Sequence, residues 1–324
     1  TPALSYLLET GVDTVFMTTR GAYKGRLVGP DSGNGRLRLL QYQRVSDAAW
    51  ALATARAIVQ TKLHNTRTLL RRYARRIEEG RMPDAGPSPQ DSSPEPTGDS
   101  RSTGAASTLG AASTLGAAST LGAAADRLGE LIERADHCRT VNSLSGVEGA
   151  GAAVYFGVFR QLIQGDEWEF SGRNRRPPRD PVNSLLSFGY TVLSHNVEGA
   201  VRAAGLDPYL GCLHQVAYNR PSLALDLVEE FRPIVVDSVV LRCLNNNLLR
   251  PAHFQIIPDG QNPVLLTDDG RSIFIRELEA RFNLEFTHPA TGERATYRRC
   301  FELQARLIAR CIQTGEPYAP FRVR

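Results

Sequence analysis

The sequence predicts an α+β fold that is mainly α: the remnant of an N-terminal β domain over residues 1–45, then an all-α domain over 46–324. Three observations carry this. Two strand-like runs, Val12–Thr18 and Tyr23–Val28, flank Arg20-Gly21 as in a hairpin. From Asp47 apolar residues recur at helical spacing, and after Asp126 strand signals are sparse.

Taken in order, Pro2–Glu9 reads as a short helix that Gly11 ends. One hairpin and one helix bury too little surface to stand as a β domain. The rest of that domain is therefore expected upstream of Thr1 or from another chain. Between Asp47 and Arg81, Leu52, Ala55, Val59, Leu63, Leu70, Tyr73 and Ile77 fall on one helix face. The other face carries Arg67, Arg71, Arg72, Arg75 and Arg76, which suits a phosphate backbone and equally a solvated surface.

Residues 83–125 are Pro-, Ser- and Gly-rich, and Gly-Ala-Ala-Ser-Thr-Leu occurs three times in succession from Gly104. Such a tract offers little bulky apolar surface against its ordering entropy, so a low-complexity disordered insertion is expected. Helices are expected over Arg127–Cys138, Gly146–Ile163, Asn183–Ala204, Asp207–Val216, Ser222–Leu244 and Tyr297–Gln313. A short strand pair is expected around Val264–Thr267 and Ser272–Ile275.

With 324 residues, 42% hydrophobic and 22% charged, the chain has a globular balance and enough length for a large core. It has no apolar run of about 18 residues, so no membrane partner is expected. No leader follows Thr1, and the missing initiator Met implies a start inside a longer protein. All 38 cationic residues except Lys24 and Lys62 are arginines, while the net charge is only +4. The bias suits bidentate phosphate contacts, and codon usage in a GC-rich genome explains it equally well. Cys138, Cys212, Cys243, Cys300 and Cys311 form no CxxC pair, which argues against a disulfide framework or zinc ribbon and for a cytoplasmic location.

Three segments bear on chemistry. In Gly146–Phe156 two interior glycines interrupt a helical pattern, and Glu148 is the one charge of an otherwise uncharged stretch. A buried carboxylate needs a cation, a proton or a metal; a tight helix crossing accounts for the glycines equally well. His214 follows an apolar small-residue turn, and Asp226 and Glu229 share one face of a helix inside Pro221–Pro233. One imidazole with carboxylates suits Mn²⁺ or Mg²⁺ better than structural zinc. The alternatives are a satisfied core histidine, and an Asp226 that caps or pairs with Arg220. The loop Ser171–Pro181 carries Arg173, Arg175, Arg176 and Arg179, stiffened by prolines that lower the cost of ordering it on phosphate; an ordinary solvated loop fits too. A second Val-Glu-Gly-Ala at Val197–Ala200, with His195 nearby, is expected to turn its polar residues to solvent. HExxH, a Walker loop and GxSxG are absent.

Gly146–Phe156, Asp180–Tyr190 and His214 followed by Pro221–Pro233 closely resemble Cas1, the CRISPR-associated integrase and endonuclease family. Phe16–Gly21, Gly25–Pro30, Leu266–Arg271 and the closing Pro317–Phe321 are similar to it as well, in consistent order over about 1–82 and 126–324. The resemblance implies a small N-terminal β domain joined to an α-helical catalytic domain. It implies a homodimer that assembles with the smaller adaptation subunit Cas2, on prespacer DNA and the CRISPR repeat. Position by position, Glu148, His214 and Glu229 look like its ligands for Mn²⁺ or Mg²⁺, and Asp226 like the neighbouring acidic residue, expected to orient a water or hydroxyl. Arg173, Arg175, Arg176, Arg179 and Arg220 are the candidates for holding the strand. The family's opening strands are missing before Thr1, and members that carry a reverse transcriptase upstream make a fused or associated one an expectation here.

The implied activity is metal-dependent insertion of spacer DNA into a CRISPR array, a 3′-hydroxyl attacking a repeat-end phosphodiester; water in its place gives endonuclease activity. Two rivals stand beside it. A helical phosphohydrolase for small phosphoesters predicts a second close His-Asp pair, which the sequence lacks. A non-catalytic DNA-binding scaffold of the adaptation complex predicts that alanine at Glu148 or His214 changes nothing.

Overall fold

The computed structural model describes residues 1–10, 14–18, 23–27, 34–80, 108–258 and 263–323. Among these, helices dominate, and the only sheets are three two-stranded antiparallel ribbons.

At the N-terminus, α1 (Pro2–Glu9) precedes β1 (Thr14–Met17) and β2 (Tyr23–Leu27), which pair with Thr14 opposite Leu27. The expected hairpin is therefore present; its connection at Arg20-Gly21 lies outside the described residues. Arg26 pins the ribbon to the helical body, donating to Glu198 Oε1 at 2.9 Å and to the His195 carbonyl at 3.2 Å. Glu198, expected at the surface, is instead a half-buried anchor whose Oε1 also accepts from Arg202.

The helical body begins at α2 (Gly35–Ser46), earlier than the boundary expected at 45. Buried Gln41 explains this: its amide donates to the carbonyls of Asp207 and Leu210 and its oxygen accepts from Asp207 N, so α2 is tied into the body. Next comes α3 (Ala48–Glu78), whose first turn is capped by Asp47 Oδ1 at 2.9 Å from Ala49 N. Ala51, Ala55, Ile58, Val59, Leu63, Leu70 and Tyr73 form its buried stripe.

Against that stripe lies α4 (Thr108–Asp136), and here the expectation of disorder to residue 125 fails. The repeat continues into the helix: Ala118, Leu121, Ala124, Ala125 and Leu128 are all buried. Alanine and leucine are strong helix formers, and α3 supplies the apolar partner that the tract lacks by itself. Residues 83–107 of the expected insertion lie outside the described residues.

The next helix, α5 (Val141–Val158), crosses α3 closely. A Cβ on Gly151 would stand 2.2 Å from Leu63 Cδ2, so this glycine serves the crossing. The long α6 (Pro181–Ala203) is capped by Asp180 Oδ1, which accepts from Asn183 N at 2.7 Å. The helix expected over Asp207–Val216 is not formed. Pro208 and Gly211 interrupt it, and the N–H groups of Cys212, Leu213 and His214 are spent on a side chain instead.

The single helix expected over Ser222–Leu244 is three pieces: α7 (Ser222–Phe231), a π-helical turn (Arg232–Asp237) and α8 (Ser238–Asn245). Pro233 has no N–H to give to the α-helical ladder, and the wider turn resets the register after it. The strand expected around Val264–Thr267 is present as β4 (Val264–Leu266), but it pairs with β3 (Phe254–Ile256) and not with Ser272–Ile275. Ser272–Ile275 belongs to α9 (Asp268–Phe282), which starts at a Thr267 cap. A last ribbon, β5 (Glu285–Thr287) with β6 (Arg294–Thr296), leads into α10 (Tyr297–Thr314).

The C-terminal segment then runs back over α3 and α7. Asn65 on α3 donates to the carbonyls of Glu230 and Phe321 and accepts from Val323 N at 3.1 Å. Glu230 on α7 accepts from Tyr318, Phe321 N and Gln304, and burial pushes its acid up to about 7 despite these donors.

Candidate active site

Three helices and one loop bring the expected residues together. Glu148 comes from α5, Glu229 from α7, His214 from the loop before α7, and α3 adds Lys62, which the sequence analysis did not select. The Lys62 ammonium lies between the two carboxylates, bonded to Glu148 Oε1 and 2.6 Å from Glu229 Oε2. His214 Nε2 faces Glu229 Oε1 at 3.9 Å.

The His214 ring is held by Asp226, which is wholly buried. Asp226 Oδ1 accepts from His214 N at 2.9 Å and meets the ring Nδ1 at 2.7 Å. Its Oδ2 accepts from Cys212 N and Leu213 N at 2.6 and 3.0 Å. A carboxylate has about four lone-pair sites, and all are filled. The expectation that Asp226 orients a water or hydroxyl is thus corrected: it fixes the loop and the imidazole. Nor does it pair with Arg220. Gly211 makes the fit possible, because a Cβ there would meet Ser222 C at 2.7 Å and Asp226 Oδ2 at 2.9 Å.

Electrostatics follow from this packing. Burial by itself would raise the Glu229 acid, but Arg232, Lys62 and His214 around it hold it well below the usual carboxylate range. Burial would lower His214, yet the Asp226 hydrogen bond and the charges of Asp226 and Glu229 raise it. Arg232, three residues after Glu229, donates to Glu229 Oε1 at 2.7 Å and lies 4.3 Å above the Tyr190 ring. Tyr190 and Tyr155 donate to the two oxygens of buried Asp237 at 2.6 and 2.8 Å; burial pushes that acid up to about 6 even so.

A cleft opens here, lined by Lys62, Glu148, Tyr155, Arg173, Arg175 and Arg232. Arg173 is braced for it, donating to Asn183 Oδ1 at 2.7 Å and Ser187 Oγ at 3.0 Å. Arg176 and Arg179 are exposed on the same loop, and half-buried Arg220 closes the His214 loop just before α7.

The residues present fit a divalent cation. Two carboxylates flank one cation position now taken by an ammonium, and an imidazole whose Nδ1 is tied to Asp226 turns Nε2 toward the same carboxylate. Among the described residues no three such side chains close directly into a metal cage, because Lys62 stands between them. The sequence carries two signals for the missed residues: Lys62 is one of two lysines in the chain, and Arg232 continues the Asp226, Glu229 spacing.

Comparison with known proteins gives one consistent result. The family model for CRISPR associated protein Cas1 matches residues 1–90 and 104–280. A CRISPR-associated endonuclease Cas1 of Thermus thermophilus is 34% identical over 326 aligned positions, covering 100% of this chain and 83% of that protein. Among solved structures, a casposase bound to integration product superposes with a TM-score of 0.77 at 21% identity, covering 98% of this chain and 76% of that one. A Cas6-RT-Cas1–Cas2 complex gives 0.74 at 24% identity; this chain is covered fully and spans 30% of that one. At these identities the two structures establish the fold.

Proposed function

The chain belongs to the CRISPR-associated Cas1 family, and from that premise we propose that it is the metal-dependent DNA endonuclease and integrase of spacer acquisition. The observation that carries this reading is that Glu148 and Glu229 share one cation position while the His214 imidazole, fixed from behind by Asp226, faces Glu229.

Glu148, His214 and Glu229 would hold Mn²⁺ or Mg²⁺, which supplies stabilisation of the charge that builds on a phosphate oxygen. The chain's own residues do the rest. Asp226 keeps Nδ1 of His214 engaged, so Nε2 points at the reacting centre. Arg173 and Arg175 line the approach and hold the strand through its phosphates, which positions DNA without reading bases. The attacking 3′-hydroxyl of a captured fragment forms a new phosphodiester at the repeat edge, and the repeat's 3′-oxygen leaves. With water as the attacking group the same site hydrolyses DNA.

The partners of this reading are prespacer DNA and the CRISPR repeat, a second copy of the chain, and Cas2. The solved Cas6-RT-Cas1–Cas2 complex, whose chain shares this fold, supports Cas2 and a fused or associated RT module as partners. The ribbon of β1 and β2 is then part of a small N-terminal β domain, beside the helical catalytic body. The test is strand transfer of a short duplex into a supercoiled plasmid bearing a CRISPR repeat, with Mn²⁺ and Cas2, for wild type and His214→Ala. Joined products lost in the variant support the reading. No joining by wild type that still binds DNA tightly would leave a non-catalytic scaffold.

A further inference from the structure

Lys62 occupies the place a divalent ion would need. Its ammonium bonds both Glu148 and Glu229, and its side chain is 12% exposed, so it is held inside the site. It is fixed in register on α3, where its carbonyl accepts from Thr66 Oγ1 at 2.8 Å and Leu63 beside it packs under Gly151. A divalent ion between the same two carboxylates would stand within a few ångströms of this ammonium, where two cations repel strongly in a half-buried setting. The ion and the ammonium therefore cannot share the carboxylate pair.

We propose that Lys62 is a built-in counter-ion that competes with the divalent metal for Glu148 and Glu229, so that the site is kept neutralised until metal displaces it. This rests on the metal-site reading above and adds a residue that sets metal affinity. Lys62 in this role is a positioning residue, acting on the ligands. When displaced, the ammonium stays in the cleft that Arg173, Arg175 and Arg232 also line. A cluster of four cations there favours a phosphate of the DNA strand as its next partner.

The test is Mn²⁺ binding to the full chain without DNA, followed by calorimetry and by the paramagnetic signal of free Mn²⁺. Wild type, Lys62→Met, Lys62→Arg and Glu229→Gln are compared, with Lys62→Gln as a second neutral variant should the methionine protein misfold. Removing the competitor should tighten Mn²⁺ binding about tenfold, while Lys62→Arg, which keeps the charge, stays at or below wild type. In EDTA, Lys62→Met should melt below wild type, because Glu148 and the Glu229 oxygen that Lys62 held then face each other with no cation between them while Arg232 holds only the other Glu229 oxygen, and Mn²⁺ should raise its Tm by more than it raises wild type's. Mn²⁺ binding that Glu229→Gln abolishes but neutral Lys62 variants leave unchanged or weaken would overturn the proposal and leave the metal site standing. No Mn²⁺ binding by wild type or by either neutral variant would overturn both.

Discussion

Nδ1 of His214 and Oδ1 of Asp226 stand 2.7 Å apart, and the same carboxylate receives three consecutive backbone N–H groups from Cys212 to His214. One buried side chain on α7 therefore shapes the loop and aims its imidazole. Four consequences of the structure can be measured.

Asp226→Asn keeps the size of the side chain but puts an amide where two N–H groups or an imidazole N–H point. Activity in the strand-transfer assay should fall by about 10–100-fold, the usual cost of losing the group that orients a ligand histidine. DNA affinity, measured by filter binding, should stay close to wild type, since Asp226 faces no strand. Equal activity of the two proteins would contradict the orienting role.

Gly211→Ala tests the packing of that loop. The added Cβ meets the backbone of Ser222, which cannot step aside as a side-chain tip can. A loss of roughly 1–3 kcal/mol is expected from such overpacking, read from denaturant titration. Mn²⁺ affinity should fall with it, because His214 moves with the loop.

Leu121 closes the third copy of the repeat and is fully buried. Leu121→Ala should cost about 2–5 kcal/mol, as for other buried leucines, measured by chemical denaturation. A disordered tract would show no change at all.

Glu198 sets a pH dependence. Burial alone would raise its acid; His195, Arg202 and Arg26 beside it reverse that and bring it down to about 2 from the usual 4.5. A depressed folded-state value means that the ionised group stabilises the fold above about pH 4.5 and that this stabilisation drains away as pH falls toward 2. Thermal melts of wild type and Glu198→Gln should differ most near neutrality, with wild type the more stable, and converge as pH falls toward 2. A gap that widens on acidification would show that Glu198 is not ionised in the fold.

Much of the helical body was legible along the chain, since its periodic apolar stripes and caps are local. Asp47, Asp180 and Thr296 each accept from the N–H groups of a first turn, and α10 starts and stops within a residue of expectation. Spacing misled where tertiary partners decide. Ser272–Ile275 has strand composition, yet the Thr267 cap and the burial of Phe274 make it helix. Asp207–Val216 has helical composition, yet its N–H groups gain more from the Asp226 carboxylate.

By itself the sequence determined the helices, the shared face of Asp226 and Glu229, and a family resemblance strong enough to single out Glu148, His214 and Glu229. The helices and the shared face depend on residues within a turn or two of one another, where spacing fixes geometry, and the three site residues rest on the resemblance. Only the tertiary structure decided that Lys62 stands between Glu148 and Glu229, that Asp226 spends all four of its lone pairs on the His214 loop, and that the repeat packs as helix. Each of these is a matter of desolvation and of partners brought from distant segments. A buried charge must find its counter-charge wherever packing supplies one, and a helix of small residues holds once a neighbouring helix covers its apolar face.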